Sequence, residues 1–237
     1  MDTSSPLDHF RQEYLGPYDH YRNWRDGYRA DETILDALTP ADRATAETEL
    51  CDSLRTGSAD PRTIIGAGYL RSRQALPLLR PYLSKAGIYA LEAIARIDPK
   101  ALDTEHVLRI LNSPRASEIQ LFELAIGLGC FFTLPQLGPR LVGQLLALLA
   151  NRHFLVRSHA LTALRRLHRL PDRTDFHGGP NTELDVRDDM LFGLISSEGR
   201  HADFRRAQQL LQAQMTAATP PNSADLKPMP PAAPGAW

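Results

Sequence analysis

The chain has 237 residues and a formal net charge of -1. That length can bury a sizeable core, as one solenoid or one large globular domain, and the balanced charge gives no global basic field to hold nucleic acid or an anionic membrane. Cys51 and Cys130 both lie in apolar helical patterns, which excludes a disulfide framework or a cysteine-rich metal site.

The opening Met1-Asp2-Thr3-Ser4-Ser5 has no basic start and no apolar run behind it, so no signal peptide is expected. The most apolar stretch, Leu141 to Ala150, contains Gln144 and is too short to cross a bilayer. A cytoplasmic, reduced location and no membrane partner are the expectation. Residues 1–37 are acidic and aromatic, with Phe10, Tyr14, Tyr18, Tyr21, Trp24 and Tyr28. After the Gly16-Pro17 break, Tyr18, Tyr21 and Tyr28 recur at helical spacing. This segment is expected to cover the open end of a stacked array, which every such array needs.

From Leu38 the helices come in pairs. Thr39 is an N-cap candidate with Pro40 at the first helical position, and Ala41 to Arg55 follows until Gly57 stops it. Asp60-Pro61 starts a helix carrying Ile64, Ile65, Ala67 and Leu70, and Ala75 to Leu83 is its partner after a short turn at Ser72-Arg73-Gln74. The next pair is Ala86 to Ile97 and, past Asp98-Pro99, Thr104 to Leu111. A third runs from Ser113 or Arg115 to about Phe132, then Gly138 to Ala150. A fourth begins at His153 and reaches about Leu170. Beyond the turn-rich Pro171 to Asn181, Thr182 can cap a helix from about Leu184 to Ser196, and a last one runs from about Ala202 to Met215. From Thr216 Pro, Ala and Ser dominate, and residues 217–237 are expected to be a disordered tail. No segment alternates apolar and polar residues as a strand does, so the class is all-α.

Two nine-residue stretches repeat one pattern seventy positions apart: Tyr89-Ala-Leu-Glu-Ala-Ile-Ala-Arg-Ile97 and His159-Ala-Leu-Thr-Ala-Leu-Arg-Arg-Leu167. Ala90 and Ala93, like Ala160 and Ala163, sit three apart on one side of a helix, where small side chains let a neighbour approach closely. Leu91, Ile94 and Ile97, like Leu161, Leu164 and Leu167, add an apolar ridge that one helix pair cannot bury alone. Such self-similarity marks a stacked helical solenoid.

Val156-Arg157-Ser-His-Ala160-Leu161-Thr-Ala163-Leu164-Arg-Arg-Leu167 resembles the first helix of a HEAT repeat. Gly68-Tyr69-Leu70 followed by Ala75-Leu76-Pro77-Leu78-Leu79 is similar to that family's helix-turn-helix crossing. The resemblance covers 58–170 well, and 38–57 and 183–216 weakly. Two units in seventy residues is about 35 each, which points to the compact bacterial HEAT-like type. It implies a right-handed α-α superhelix of about four to five stacked helix pairs: a HEAT-like repeat domain over 38–216 with a degenerate closing pair at 183–216. It implies little about function, because repeat scaffolds carry many activities.

Three places in the sequence could carry chemistry. The loop from Pro171 to Asn181 carries Asp172, Arg173, Asp175 and His177 beside Gly178-Gly179-Pro180, without a Walker or dinucleotide pattern around it. The histidines His153, His159, His168, His177 and His201 lack metal-ligand spacing. No HExxH occurs, nor any of the His-Glu pairs that di-iron HEAT-like hydroxylases use, so no metal and no cofactor is expected. The basic stripe is the best local signal: Arg152, Arg157, Arg165, Arg166, Arg169 and Arg173. Arg165 and Arg169 lie four apart and Arg166 and Arg169 three apart, so part of the stripe is expected on one face. With His177 these arginines are the expected anchors for an acidic protein partner, since guanidinium pairs carboxylates bidentately.

The leading expectation is a non-enzymatic, protein-binding HEAT-like protein, in its sharpest form a bacterial immunity-type protein that binds and neutralises a cognate toxin or effector. The competing class is a HEAT-like enzyme, either an alkyl-base DNA glycosylase or a bilin-lyase-like chaperone. A glycosylase needs a strongly basic concave face with aromatic side chains. The balanced charge, with Trp24 and Trp237 in cap and tail, argues against nucleic acid.

Overall fold

In a computed structural model, the structure describes residues 5–18, 31–170, 189–196 and 201–218, with backbone alone at 201 and 202. All regular structure in them is helical. They fall into two compact units that divide between Leu102 and Asp103, inside the single array expected over 38–216.

The first unit holds α1 (Pro6–Phe10), prolonged by a π-helical turn Arg11–Leu15, then α2 (Thr33–Asp36), α3 (Pro40–Thr56) and α4 (Pro61–Tyr69). After these come α5 (Leu76–Leu79), continued by a 3-10 turn Arg80–Ser84, and α6 (Gly87–Ile97). The starts follow the caps. The Thr39 side chain accepts from the Asp42 amide with Pro40 next to it, and Asp60 accepts from the Arg62 and Thr63 amides before Pro61. Gly57 ends α3 at φ 80°, a left-handed turn that glycine takes without a Cβ penalty. The segment expected as one helix over 75–83 splits. Pro81 has no amide to give Pro77, so the α-helix stops at Leu79 and the chain tightens to 3-10.

Phe10 and Tyr14 stack at 5.5 Å and are fully buried with Leu35, Leu38, Ala46, Leu50 and Ile65. Polar bonds fix the same segment. The Tyr14 hydroxyl donates to the Asp31 carbonyl, and the Thr63 hydroxyl to the Tyr14 carbonyl. Arg62 pairs with Asp60 at 2.7 Å and lies over the Tyr18 ring. Tyr21, Trp24 and Tyr28 lie outside the described residues.

The second unit holds α7 (Thr104–Leu111), α8 (Glu118–Phe131), α9 (Leu134–Ala147) with a 3-10 turn Leu148–Ala150, α10 (Phe154–His168), α11 (Met190–Ser196) and α12 (His201–Ala218). The third pair's first helix starts at Glu118, not at Ser113 or Arg115, because Ser117 and Gln120 form a reciprocal capping box. A second box, Thr133 with Gln136, starts α9 one turn before Gly138, where φ 69° breaks the helix and Pro139 resumes it. At the far end α12 runs past Met215 to Ala218, since Ala217 and Ala218 favour helix whatever the change of composition at Thr216. The expected helix from Leu184 is described only over Met190–Ser196, and 219–237 lie outside the described residues.

The echoed stretches do the same job in each unit. On α6, Ala90, Leu91, Ala93 and Ile94 are buried, and on α10, Ala160, Leu161, Ala163 and Leu164. Each central alanine faces a glycine on the helix it packs against. A Cβ on Gly68 of α4 would lie 2.7 Å from the Ala93 Cα, and one on Gly129 of α8 2.6 Å from the Ala163 Cα. Helices α8 and α10 run parallel: Glu118 meets His153, Phe122 meets His159, and Cys130 meets Arg166. On α4 and α6 the contacts advance in the same sense, Gly68 on Ala93 and Tyr69 beneath Arg96.

Candidate protein-docking site

The expected arginine stripe does not form one face. Arg157 is 5 % exposed. Its Nε donates to the Ile195 carbonyl at 2.7 Å and its Nη1 to the carbonyls of Asn151 and Arg152, while the guanidinium lies over the Phe204 ring at 4.4 Å. Burial pushes its pKa down from the ordinary guanidinium value, yet it stays a cation. Arg165, 3 % exposed, makes two 2.7 Å bonds to the two carboxylate oxygens of buried Asp189. Asp189 also accepts from the Phe192 amide, so one carboxylate ties α10 to the start of α11. Both arginines are therefore corrected from partner anchors to internal ties.

The others differ in environment. Arg166 is half-buried and donates to the Cys130 thiol at 2.8 Å. Arg169 is exposed at φ 55°, in the left-handed position that closes α10. Arg152 is exposed and donates to the His153 ring at 2.9 Å. Arg173 and His177, with the rest of the Pro171 to Asn181 loop, lie outside the described residues.

What brought the stripe apart is helix geometry. Arg157, Leu161 and Arg165 follow one side of α10 at intervals of four, and that side is buried, whereas Arg169, four further on, lies past the helix end in the left-handed position that turns the chain away.

Side chains that the basic pattern passed over lie near Arg152. Four large apolar residues are exposed among the described ones, all in the second unit: Ile119 (59 %), Phe154 (39 %), Leu155 (44 %) and Met190 (54 %). Three of them gather where α8 and α10 begin. His153 Nδ1 lies 3.3 Å from a Glu118 oxygen, so the first turns of α8 and α10, which carry Ile119 and Phe154 with Leu155, begin side by side. Phe122 against His159 and Phe154 edge-on to Phe192 carry aromatic surface inward from them. The start of α10 differs from that of α8 in having neither cap nor acid. His153 gives it no side-chain cap and its first turn has no acid, so its amide end keeps a positive dipole beside Arg152. The sequence did carry a signal for this edge: Phe154-Leu155-Val156 is more apolar than a single buried stripe needs, and only Val156 is inside.

Among the described residues no group of three or more His, Cys, Asp or Glu can hold a metal ion, and no helix is long and apolar enough to cross a membrane. Cys51 is buried 3.7 Å from the Ser72 hydroxyl, and burial raises its pKa, which disfavours the reactive thiolate. The His168 Nε2 is buried without a hydrogen-bond partner, and burial lowers its pKa. Comparison with models of known protein families, with curated proteins and with solved structures gives no match.

Proposed function

We propose that the chain is a non-enzymatic, protein-binding HEAT-like solenoid, a right-handed α-α superhelix, and specifically a cytoplasmic immunity-type protein that neutralises a cognate bacterial toxin or effector. The observation that carries the binding role is the exposed apolar edge of Ile119, Phe154 and Leu155 at the start of a pair of parallel helices. Isolated exposed apolar residues are ordinary, but a cluster with a polar rim marks a contact surface. The Gly68–Ala93 and Gly129–Ala163 approaches, each made by one copy of the echo, support the repeat architecture. The immunity assignment rests on the sequence pattern of a compact helical array without a catalytic constellation.

A tagged full-length chain, recovered from its own cells and analysed by mass spectrometry, is expected to bring down one protein in stoichiometric amount. That protein, expressed alone, is expected to arrest growth, and co-expression of this chain to restore it. Growth unaffected by the captured protein sinks the immunity role. Tight binding to damaged duplex DNA with a steep salt slope, and no protein partner, turns the assignment to the glycosylase.

A further inference from the structure

The docking edge has a charge that says what it fits. The chain enters the edge through two exposed arginines, Arg115, two residues before the cap of α8, and Arg152, two residues before α10. Glu118, the acid in the first turn of α8, lies against His153, within the edge. The uncapped start of α10 adds its positive dipole on the same side. The exposed charges that lead into both first turns are therefore cationic, in a chain whose net charge is -1.

We infer that this edge, formed by the first turns of α8 and α10, docks an acidic protein segment that places apolar side chains against Ile119 and Leu155 and carboxylates against Arg152 and Arg115. The inference rests on the protein-binding reading and gives its site and the chemistry of its partner. An amphipathic helix with one apolar stripe and an acidic polar face meets both requirements, because residues three and four apart reach neighbouring anchor positions together. Complementary rim charge speeds encounter and selects the partner, while the apolar centre holds it. Arg157 supports the surface from beneath: by holding the Asn151 and Arg152 carbonyls it fixes the turn that presents Phe154 and Leu155. The buried Arg165 has no part in the contact.

The probes are two labelled synthetic helices with the same leucine stripe, one with glutamates and one with lysines on its polar face. Binding to the full-length chain is followed by fluorescence anisotropy at low salt. The glutamate peptide is expected to bind at least about tenfold more tightly than the lysine peptide, and Leu155→Glu and Arg152→Glu each to weaken it by about tenfold. Arg205→Glu, an exposed charge on α12, is expected to leave it unchanged. Because Leu155 and Arg152 are exposed, all three variants are expected to keep the helical circular dichroism of the parent, and the conservative Arg152→Lys to retain most of the binding. Equal binding of the two peptides, no binding of either, or affinity that survives both edge substitutions overturns the inference. The stoichiometric partner is the separate check: if Leu155→Glu still captures it, this edge is wrong and the protein-binding reading stands; if the parent captures none, that reading fails.

Discussion

Arg165 on α10 and Arg169 just past its end are four residues apart and have opposite fates. Arg169 ends the helix in solvent; Arg165 is turned inward onto Asp189. Arg165→Met would leave a buried carboxylate without its cation, and we expect a loss of about 3–5 kcal/mol. Replacing both partners, Arg165→Met with Asp189→Leu, is expected to recover all but about 1 kcal/mol, the cost of the cap that Asp189 gives Phe192. Urea unfolding followed by helical ellipticity measures all three. A single variant as stable as the parent would show that the pair contributes nothing. His168 gives a pH signature. Burial holds its folded-state pKa below the ordinary histidine value, so the unfolded chain takes up the proton first as pH falls. Stability is therefore full above that ordinary value, and declines as pH falls from it towards the lowered folded pKa. Thermal unfolding at several pH values between neutral and mildly acid is expected to show a steeper fall for the parent than for His168→Gln; parallel curves would refute it.

At the scale of helices, closeness is set by glycine facing alanine. A methyl group added at Gly68 or Gly129 meets backbone, at Ala93 or Ala163, and backbone of a packed helix does not yield cheaply. Gly68→Ala and Gly129→Ala are each expected to cost about 1–3 kcal/mol. Gly143 on α9 is the control. A Cβ there meets nothing within 4 Å, so Gly143→Ala is expected to stabilise by about 0.5–1 kcal/mol. Chemical denaturation that ranks the three otherwise would refute the packing account. The echo made half of each contact legible, Ala93 and Ala163. It did not reveal Gly68 and Gly129, because a glycine's purpose lies in what packs on it, and the distances to the echoed alanines differ, 25 residues in one case and 34 in the other.

For the whole molecule the balance of charge dominates. The net charge is -1 and the isoelectric point about 6.7, so mutual repulsion between molecules is weak near neutral pH. Solubility in a precipitant titration is expected to be lowest near that pH and to rise on either side, and Leu155→Glu is expected to raise it near neutrality by removing exposed apolar surface. A flat profile would count against both charge and patch as causes. The same net charge hides a local contrast, the exposed arginines Arg115 and Arg152, that a sum over the chain cannot reveal.

Helices were readable from the sequence because their signals are local. Thr39-Pro40, Asp60-Pro61 and Gly57 act within a turn of themselves, and the structure starts and stops α3 and α4 there. The same holds for the burial of Leu91 and Leu161, which follows from helical period alone. Tertiary structure decided which arginines remain outside. Spacing placed Arg157 and Arg165 on α10, but whether each meets water depends on Asp189, Ile195 and Phe204, which arrive from distant positions in the chain. It also decided where apolar surface stays open. Phe154 and Leu155 are exposed because no described element covers the first turn of α10 on that side. A side chain's neighbours along its helix are written in the sequence; its neighbours across the fold are fixed only when the helices meet.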